Sequence, residues 1–173
     1  MVTIAHDAVD DGSTSACGVD TIQVSPNMFD CDNIGDNIVT QTVTDFEGSG
    51  TSCTATVTVL DTIAPTCLTM DIDVYLDANG MVSITDNAVN SWSSDNCEVM
   101  SITITPKDFT CADVGAGVVV TQTVTDVNGN SSMCPATVTV HDTVTPTCLT
   151  MDITVNLDEN GNVTIPDTAV DDG

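Results

Sequence analysis

The chain has almost no positive charge. One Lys, Lys107, and no Arg stand against 26 Asp and Glu in 173 residues, a formal net charge of −25. Phosphate-rich partners need a cationic surface, so nucleic acid is excluded as a partner, and so is direct adhesion to anionic lipid. Aromatic residues are nearly as scarce, with one Trp, one Tyr and three Phe. Paired acids in a sugar-cleaving cleft work beside stacking rings, and the acids here lack that company. No apolar run approaches the roughly 18 to 20 residues of a membrane-spanning helix, and no basic stretch leads into an apolar one as a signal peptide would. Direct membrane insertion is therefore not expected. No two of the eight cysteines are closer than 14 positions, which removes the short spacings of zinc and thioredoxin-like sites. No GxSxG motif accompanies His6 or His141, which read as solvated surface residues, and the chain reads as no enzyme. A single Lys also cannot supply a self-formed Lys-Asn cross-link in every repeat.

What is present is a duplication. Thr54 to Ile72, TATVTVLDTIAPTCLTMDI, returns at Pro135 to Ile153 as PATVTVHDTVTPTCLTMDI, 81 positions on. A period near 80 suits one small β-sandwich per repeat and is too long for a helical solenoid unit. The expected division is 1–61, a first repeat lacking its own first strand, then 62–142, a second repeat, and 143–173, the first two strands of a third. Residues 2–12 and 163–173 match each other more closely than either matches 82–92. Met1 aligns with Met81 and Asn162, each following an Asn-Gly turn, so the chain reads as a window on a longer array.

Within the second repeat, Leu68, Met70, Ile72, Val74 and Leu76 alternate with polar residues, the period of a half-buried strand. Asn79-Gly80 then signals a hairpin, because both residues tolerate positive φ. Further strands are expected at Val82 to Thr85, around Met100, Ile102 and Ile104 up to Pro106, at Val118 to Thr125 and at Ala136 to Val140, with at most a small edge strand between Lys107 and Gly117. Thr- and Val-rich strands with turns every 8 to 12 residues and no helical period predict an all-β chain of antiparallel sandwiches.

The order of LDANGMVSI and LDENGNVTI, SDNC at Ser94 to Cys97, FDC and FTC ending at Cys31 and Cys111, TVTD turns ahead of an ATVTV strand, and DTxxPTC resembles the immunoglobulin-like HYR-type tandem repeats of secreted bacterial, Bacteroidetes-like, surface proteins. The resemblance spans the whole chain. It implies immunoglobulin-like sandwiches and a secreted, extracellular location at the cell surface, in a repetitive stalk or adhesin.

Alternating strand directions place Asp61, Asp95 and Asp126 at one pole of the second repeat. Calcium takes six to eight oxygens from irregular loops, and no basic side chain offsets these acids, so Ca2+ is the expected cofactor. Asn96 or Asn128 would add carbonyl oxygens. The corresponding sets are Asp142 with Asp171 or Asp172 ahead, and Asp10, Asp11 and Asp45 behind. The bland reading makes each a turn acid satisfying its own backbone. Asn130 and Asn162 fit the N-x-S/T sugar-acceptor pattern. Thr21, Thr62, Thr143 and Thr168 follow Asp and precede an aliphatic residue or Ala, similar to an O-glycosylation pattern of Bacteroidetes.

Disulfides are the default for the cysteines. The same strand directions pair Cys17 with Cys53 and Cys97 with Cys134 inside repeats, and Cys31 with Cys67 and Cys111 with Cys148 across boundaries. The competing map joins Cys67 to Cys97 or Cys134. The expected function is a structural extracellular fibre, stalk or adhesin shaft stiffened by calcium and disulfides. The alternative is an array of carbohydrate- or ligand-binding modules, for which Trp92 and Tyr75 are the only bulky platforms. Expected partners are neighbouring copies of the same repeat, and glycans. Either a continuous array supplies the strand missing from the first repeat, which the duplicated 2–12 sequence favours, or one subunit's C-terminal hairpin completes the next.

Overall fold

The structure, a computed structural model, describes residues 1–168, so Asp171 and Asp172 lie outside the described residues. It is all-β. The only helical elements among these residues are two single 3-10 turns, Cys31–Asn33 and Cys111–Asp113. Strands β1 (Val2–Thr3), β2 (Val19–Ser25), β3 (Met28–Phe29), β4 (Gly35–Asp45) and β5 (Gly50–Val59) form the first unit. Strands β6 (Ile72–Tyr75), β7 (Met81–Ser83), β8 (Val99–Thr105), β9 (Asp108–Thr110), β10 (Gly117–Asp126) and β11 (Ser131–His141) form the second.

The second unit has two layers. β10 and β11 pair antiparallel from Gly117 opposite Thr139 to Thr125 opposite Ser131, across the Asp126–Asn130 turn. β8 lies along the other side of β10, and β6 runs parallel to β11, giving the sheet order β6-β11-β10-β8. β7 and β9 form the second layer. Because Val alternates with Thr, each long strand turns one apolar face inward. Val120, Val138 and Val140 there meet Phe109 of β9, with Leu76, Val89, Ile104 and Ala136 closing the core. Burying each of those Val side chains is worth roughly 1.5 to 3 kcal/mol, and this is what holds the two layers together.

The first unit repeats the pairing with one strand fewer. Its large sheet is β2-β4-β5, with β1 against β3 as the second layer. Among the described residues, no strand pairs with the outer edge of β5 as β6 pairs with that of β11. Its buried apolar residues are Val24, Phe29 and Val39, with Gln41 buried beside them, and Ala55, Val57 and Val59 of β5 stay half-buried where Ala136, Val138 and Val140 are closed off.

Three expectations are corrected. The turn at Asn79-Gly80 joins two different sheets rather than closing a hairpin, since β6 pairs with β11 and β7 with β9. The strand expected from Leu68 to Leu76 covers only Ile72–Tyr75. Its first half instead makes isolated bonds to the loop between β7 and β8: Met70 N donates to Val89 O at 2.9 Å, Ser91 N to Leu68 O at 3.0 Å, and Ser94 N to Thr66 O at 3.1 Å. Period-two patterning is satisfied by any extended stretch, so it could not reveal where the ladder stops.

The disulfides also differ. Cys67 is bonded to Cys134 and Cys31 to Cys97, with Cα separations of 5.8 and 5.4 Å. Cys17, Cys53, Cys111 and Cys148 are free and exposed. The expected pairs Cys97 with Cys134 and Cys17 with Cys53 fail because β10 stands between β8 and β11, and β4 between β2 and β5. Two strand spacings of about 4.8 Å exceed a disulfide's reach. Cys67 leads into β6 and Cys134 lies near the start of its parallel neighbour β11, so the two arrive side by side. Cys31 is thereby left to meet Cys97 rather than Cys67, while Cys111 and Cys148 stay apart.

A candidate metal centre at the unit junction

Asp61 lies in the linker after β5, Asp95 in the loop before β8, and Asp126 at the end of β10. Three segments separate in sequence thus offer carboxylate oxygens within 4.8 Å of one another. Asp126 has 0% of its surface exposed and is held rigidly. Its Oδ1 accepts from the backbone N–H of Asn128 at 2.9 Å and of Asn130 at 2.8 Å, and its Oδ2 accepts from Asn130 Nδ2 at 2.8 Å. Burial alone would raise its pKa. The hydrogen bonds from the Asn130 side chain and from the backbone of Asn130, Asn128 and Gly129 together outweigh burial and hold the pKa below the ordinary carboxylate range.

Asp61 Oδ1 accepts from Ile63 N and Asn96 Nδ2, each at 3.2 Å, and Asp95 Oδ2 accepts from Cys97 N at 2.8 Å. The other oxygen of each, Asp61 Oδ2 and Asp95 Oδ1, is buried with no hydrogen-bond partner. Buried charged oxygens without partners are costly. No cation of the chain relieves them, since Lys107 pairs with Asp86 at 3.2 Å. A hard cation with oxygen ligands fits this donor set, and the irregular origin of the ligands suits calcium better than the strict octahedron of magnesium.

The remaining expected ligands fall elsewhere. Asp10 binds the Ser13 hydroxyl and accepts from Gln41 Nε2 at 2.7 Å. The Ser13 hydroxyl bond, ahead of opposing burial and then the Gln41, Gly12 and Ser13 amide bonds, leaves its pKa lowered. Asp45 Oδ1 accepts from Glu47 N at 3.0 Å and Ser49 N at 2.9 Å, and Asp142 Oδ1 from Val144 N at 2.9 Å. Those are turn roles. Asp11 is exposed. Among the described residues, only Asp61, Asp95 and Asp126 gather into a group.

Asn130 was legible as a sugar acceptor but not as a strut. Its Nδ2 also donates to Asp61 O at 3.2 Å, tying the linker to the Asp126 turn, so a sugar on that nitrogen would cost both hydrogen bonds. The signal available was the Asp-x-x-Gly-Asn spacing, which the turn Asp158 to Asn162 shares. Asn162, Thr21, Thr62, Thr143 and Thr168 are all exposed. His141 Nε2 lies 2.7 Å from Asp73 Oδ1, and its ring stacks on Tyr75 with centroids 5.2 Å apart, which leaves Trp92 as the one fully presented large ring, 89% exposed.

Acid titration gives a prediction away from this cluster. The backbone N–H of Met81, followed by the Asn79 side chain and amide, lowers the Asp77 pKa; the Ile104 N–H, followed by Lys107, lowers that of Asp86. A pKa depressed in the folded state contributes stability that is present above the unfolded value near 3.9 and lost as pH falls through the folded value. The margin of the native chain over Asp77→Ala or Asp86→Ala should therefore stay constant down to about pH 5 and shrink below about pH 4. Urea midpoints measured from pH 7 to 2 check this, and a margin independent of pH would refute it.

No protein-family model matches the chain, and the curated proteins compared with it contain no match.

Proposed function

We propose that the chain is a structural segment of an extracellular fibre, stalk or adhesin shaft. Its tandem immunoglobulin-like units are held at a fixed angle by a disulfide and a calcium ion at their junction. The observation that carries this reading is how much bonding is concentrated where the units meet. The Cys31–Cys97 bond crosses from one unit to the other, and Asp61 of the intervening linker converges with Asp95 and Asp126 of the second unit a few residues away. A linker meant to flex would carry neither. Disulfides form and persist in oxidising compartments, which supports an extracellular setting. No helix among the described residues is long and apolar enough to cross a membrane.

Small-angle scattering in calcium should give an elongated, stiff two-unit rod. Combining chelator with Cys31→Ser should broaden the distribution of maximum dimensions. A rod that stays equally stiff in chelator with Cys31→Ser, or a pair already flexible in calcium with the bond intact, would sink the reading. The ligand-binding alternative rests on scattered exposed rings, Trp92 foremost, with Phe46 and Tyr75. No two of these aromatic rings stack on each other, so they do not add up to one sugar platform.

A further inference from the structure

Each unit buries one glutamine in its core, Gln41 in β4 and Gln122 in β10. Gln41 is 3% exposed, and its Oε1 finds no hydrogen-bond partner among the described residues. An unpaired buried acceptor costs stability and calls for a reason. The other end of the amide reaches the loop between β1 and β2. There Gln41 Nε2 donates to Asp10 Oδ1 at 2.7 Å and to Ser13 Oγ at 3.1 Å. The Ser13 hydroxyl donates to the same Asp10 oxygen. Backbone N–H groups of Gly12 and Ser13, 3.2 and 3.3 Å from the Asp10 carboxylate, hold it in place.

A hydroxyl nucleophile, a carboxylate and a primary amide thus meet at one point. Asp10 Oδ1 touches both the proton of the nucleophile and the nitrogen of the leaving group. Gln41 Cδ lies one C–N bond of about 1.3 Å beyond Nε2, so Ser13 Oγ is within roughly 4.4 Å of it. A small side-chain rotation brings that to the about 3 to 3.5 Å of an attacking geometry. The second unit lacks one part. Gln122 Nε2 lies 2.9 Å from Ser93 Oγ and 3.4 Å from Asn90 Oδ1, but Asn90 in VNSWS replaces Asp10 in VDDGS, and an amide is far too weak a base to take up the hydroxyl's proton. The Ser93 hydroxyl donates to Leu68 O, at 3.1 Å.

We propose that Ser13 and Gln41 join in a self-formed ester, a covalent cross-link inside the first unit that needs no Lys. Ser13 Oγ adds to Gln41 Cδ as Asp10 takes its proton, and negative charge passes briefly to Oε1. The C–N bond then breaks, Asp10 hands the proton to the departing nitrogen, and ammonia leaves. One O–H and one C–N bond are lost, one C–O and one N–H bond are gained, and Asp10 ends ionised as it began. The hydrogen bonds that lower the Asp10 pKa, that from the Ser13 hydroxyl foremost, keep it ionised at neutral pH and so able to act as the base. No donor supports charge on Oε1, so linkage is slow, a single maturation step rather than a turnover. Ammonia is protonated and diluted in solvent, which prevents its return. Burial of Gln41 shields the ester from water. The bond ties the β1–β2 loop to the central strand of the β2-β4-β5 sheet. It depends on nothing at the unit junction, so it stands or falls apart from the calcium site and the fibre reading.

The folded chain, incubated at neutral pH and weighed intact by mass spectrometry, is expected to be lighter than its sequence by one ammonia. Peptide mapping should join the Ser13 peptide to the Gln41 peptide, and brief mild alkali should part the linked pair and leave a carboxylate at position 41. Asp10→Asn, which copies the second unit, should slow linkage at least about a hundredfold, and Ser13→Ala should abolish it, both with the circular dichroism of the native chain. Full mass in the folded native chain would overturn the ester whatever the variants do. So would linkage undiminished by Asp10→Asn, or an ammonia loss that maps to an Asn-Gly turn instead of Gln41.

Discussion

Held in calcium at a hundredfold excess over its dissociation constant, the chain is expected to be about 2.7 kcal/mol more stable than in chelator, since the folded state alone presents the site. For a unit of about 80 residues, each kcal/mol moves the melting midpoint by roughly 4 to 8 °C, so the second unit should melt about 10 to 20 °C higher with the ion. The reason is local. Asp61 Oδ2 and Asp95 Oδ1 are buried without partners beside a third carboxylate, and a cation converts their mutual repulsion into shared attraction. Changing Asp61→Asn and Asp95→Asn together should abolish the calcium response. It should also leave the calcium-free midpoint unchanged or higher, because a source of repulsion is gone. The turn-acid reading makes the opposite prediction, a lower midpoint in both conditions. Scanning calorimetry with and without chelator decides between them, and identical midpoints in the native chain would remove the ion from the account.

Removing the Cys67–Cys134 bond should have the larger effect on folding. Its sequence separation of 67 closes a loop whose release gives the unfolded chain about 4 kcal/mol of conformational freedom in the chain-entropy model. Small domains have only about 5 to 15 kcal/mol in total, so Cys67→Ser with Cys134→Ser is expected to leave the second unit marginal. Cys31→Ser with Cys97→Ser, which removes the bond crossing the junction, should leave that unit's core intact and change chiefly the angle between units. Urea titration followed by circular dichroism compares the pairs. Trp92 is too exposed to report on the core. Equal losses in the two double variants would mean that the Cys31–Cys97 bond also belongs to the second unit's folding.

How much could be read in advance differs from residue to residue, for physical reasons. Asp77 and Gly80 announced their turn because the chemistry is local: Asp77 Oδ1 accepts from Asn79 N at 2.8 Å and Met81 N at 3.0 Å, and Gly80 takes φ of +73°. Asp61, Asp95 and Asp126 could be placed at one pole because alternating strand directions fix which ends coincide. Asn130 could not be seen as the strut between two of them, since hydrogen-bond partners 69 residues apart leave no sequence pattern.

From the sequence by itself followed the all-β class and the places of most strands and turns, because composition and period two are properties of short stretches. Only the tertiary structure decided which strand lies beside which. Placing β10 between β8 and β11, and β6 parallel to β11, took Cys97 away from Cys134 and gave Cys134 to Cys67. Strand neighbours are set by the long-range burial of Val120, Val138 and Val140 against Phe109. Any strand with the same alternation of Thr and Val satisfies the local pattern equally well, so the order in the sheet is a property of the packed whole.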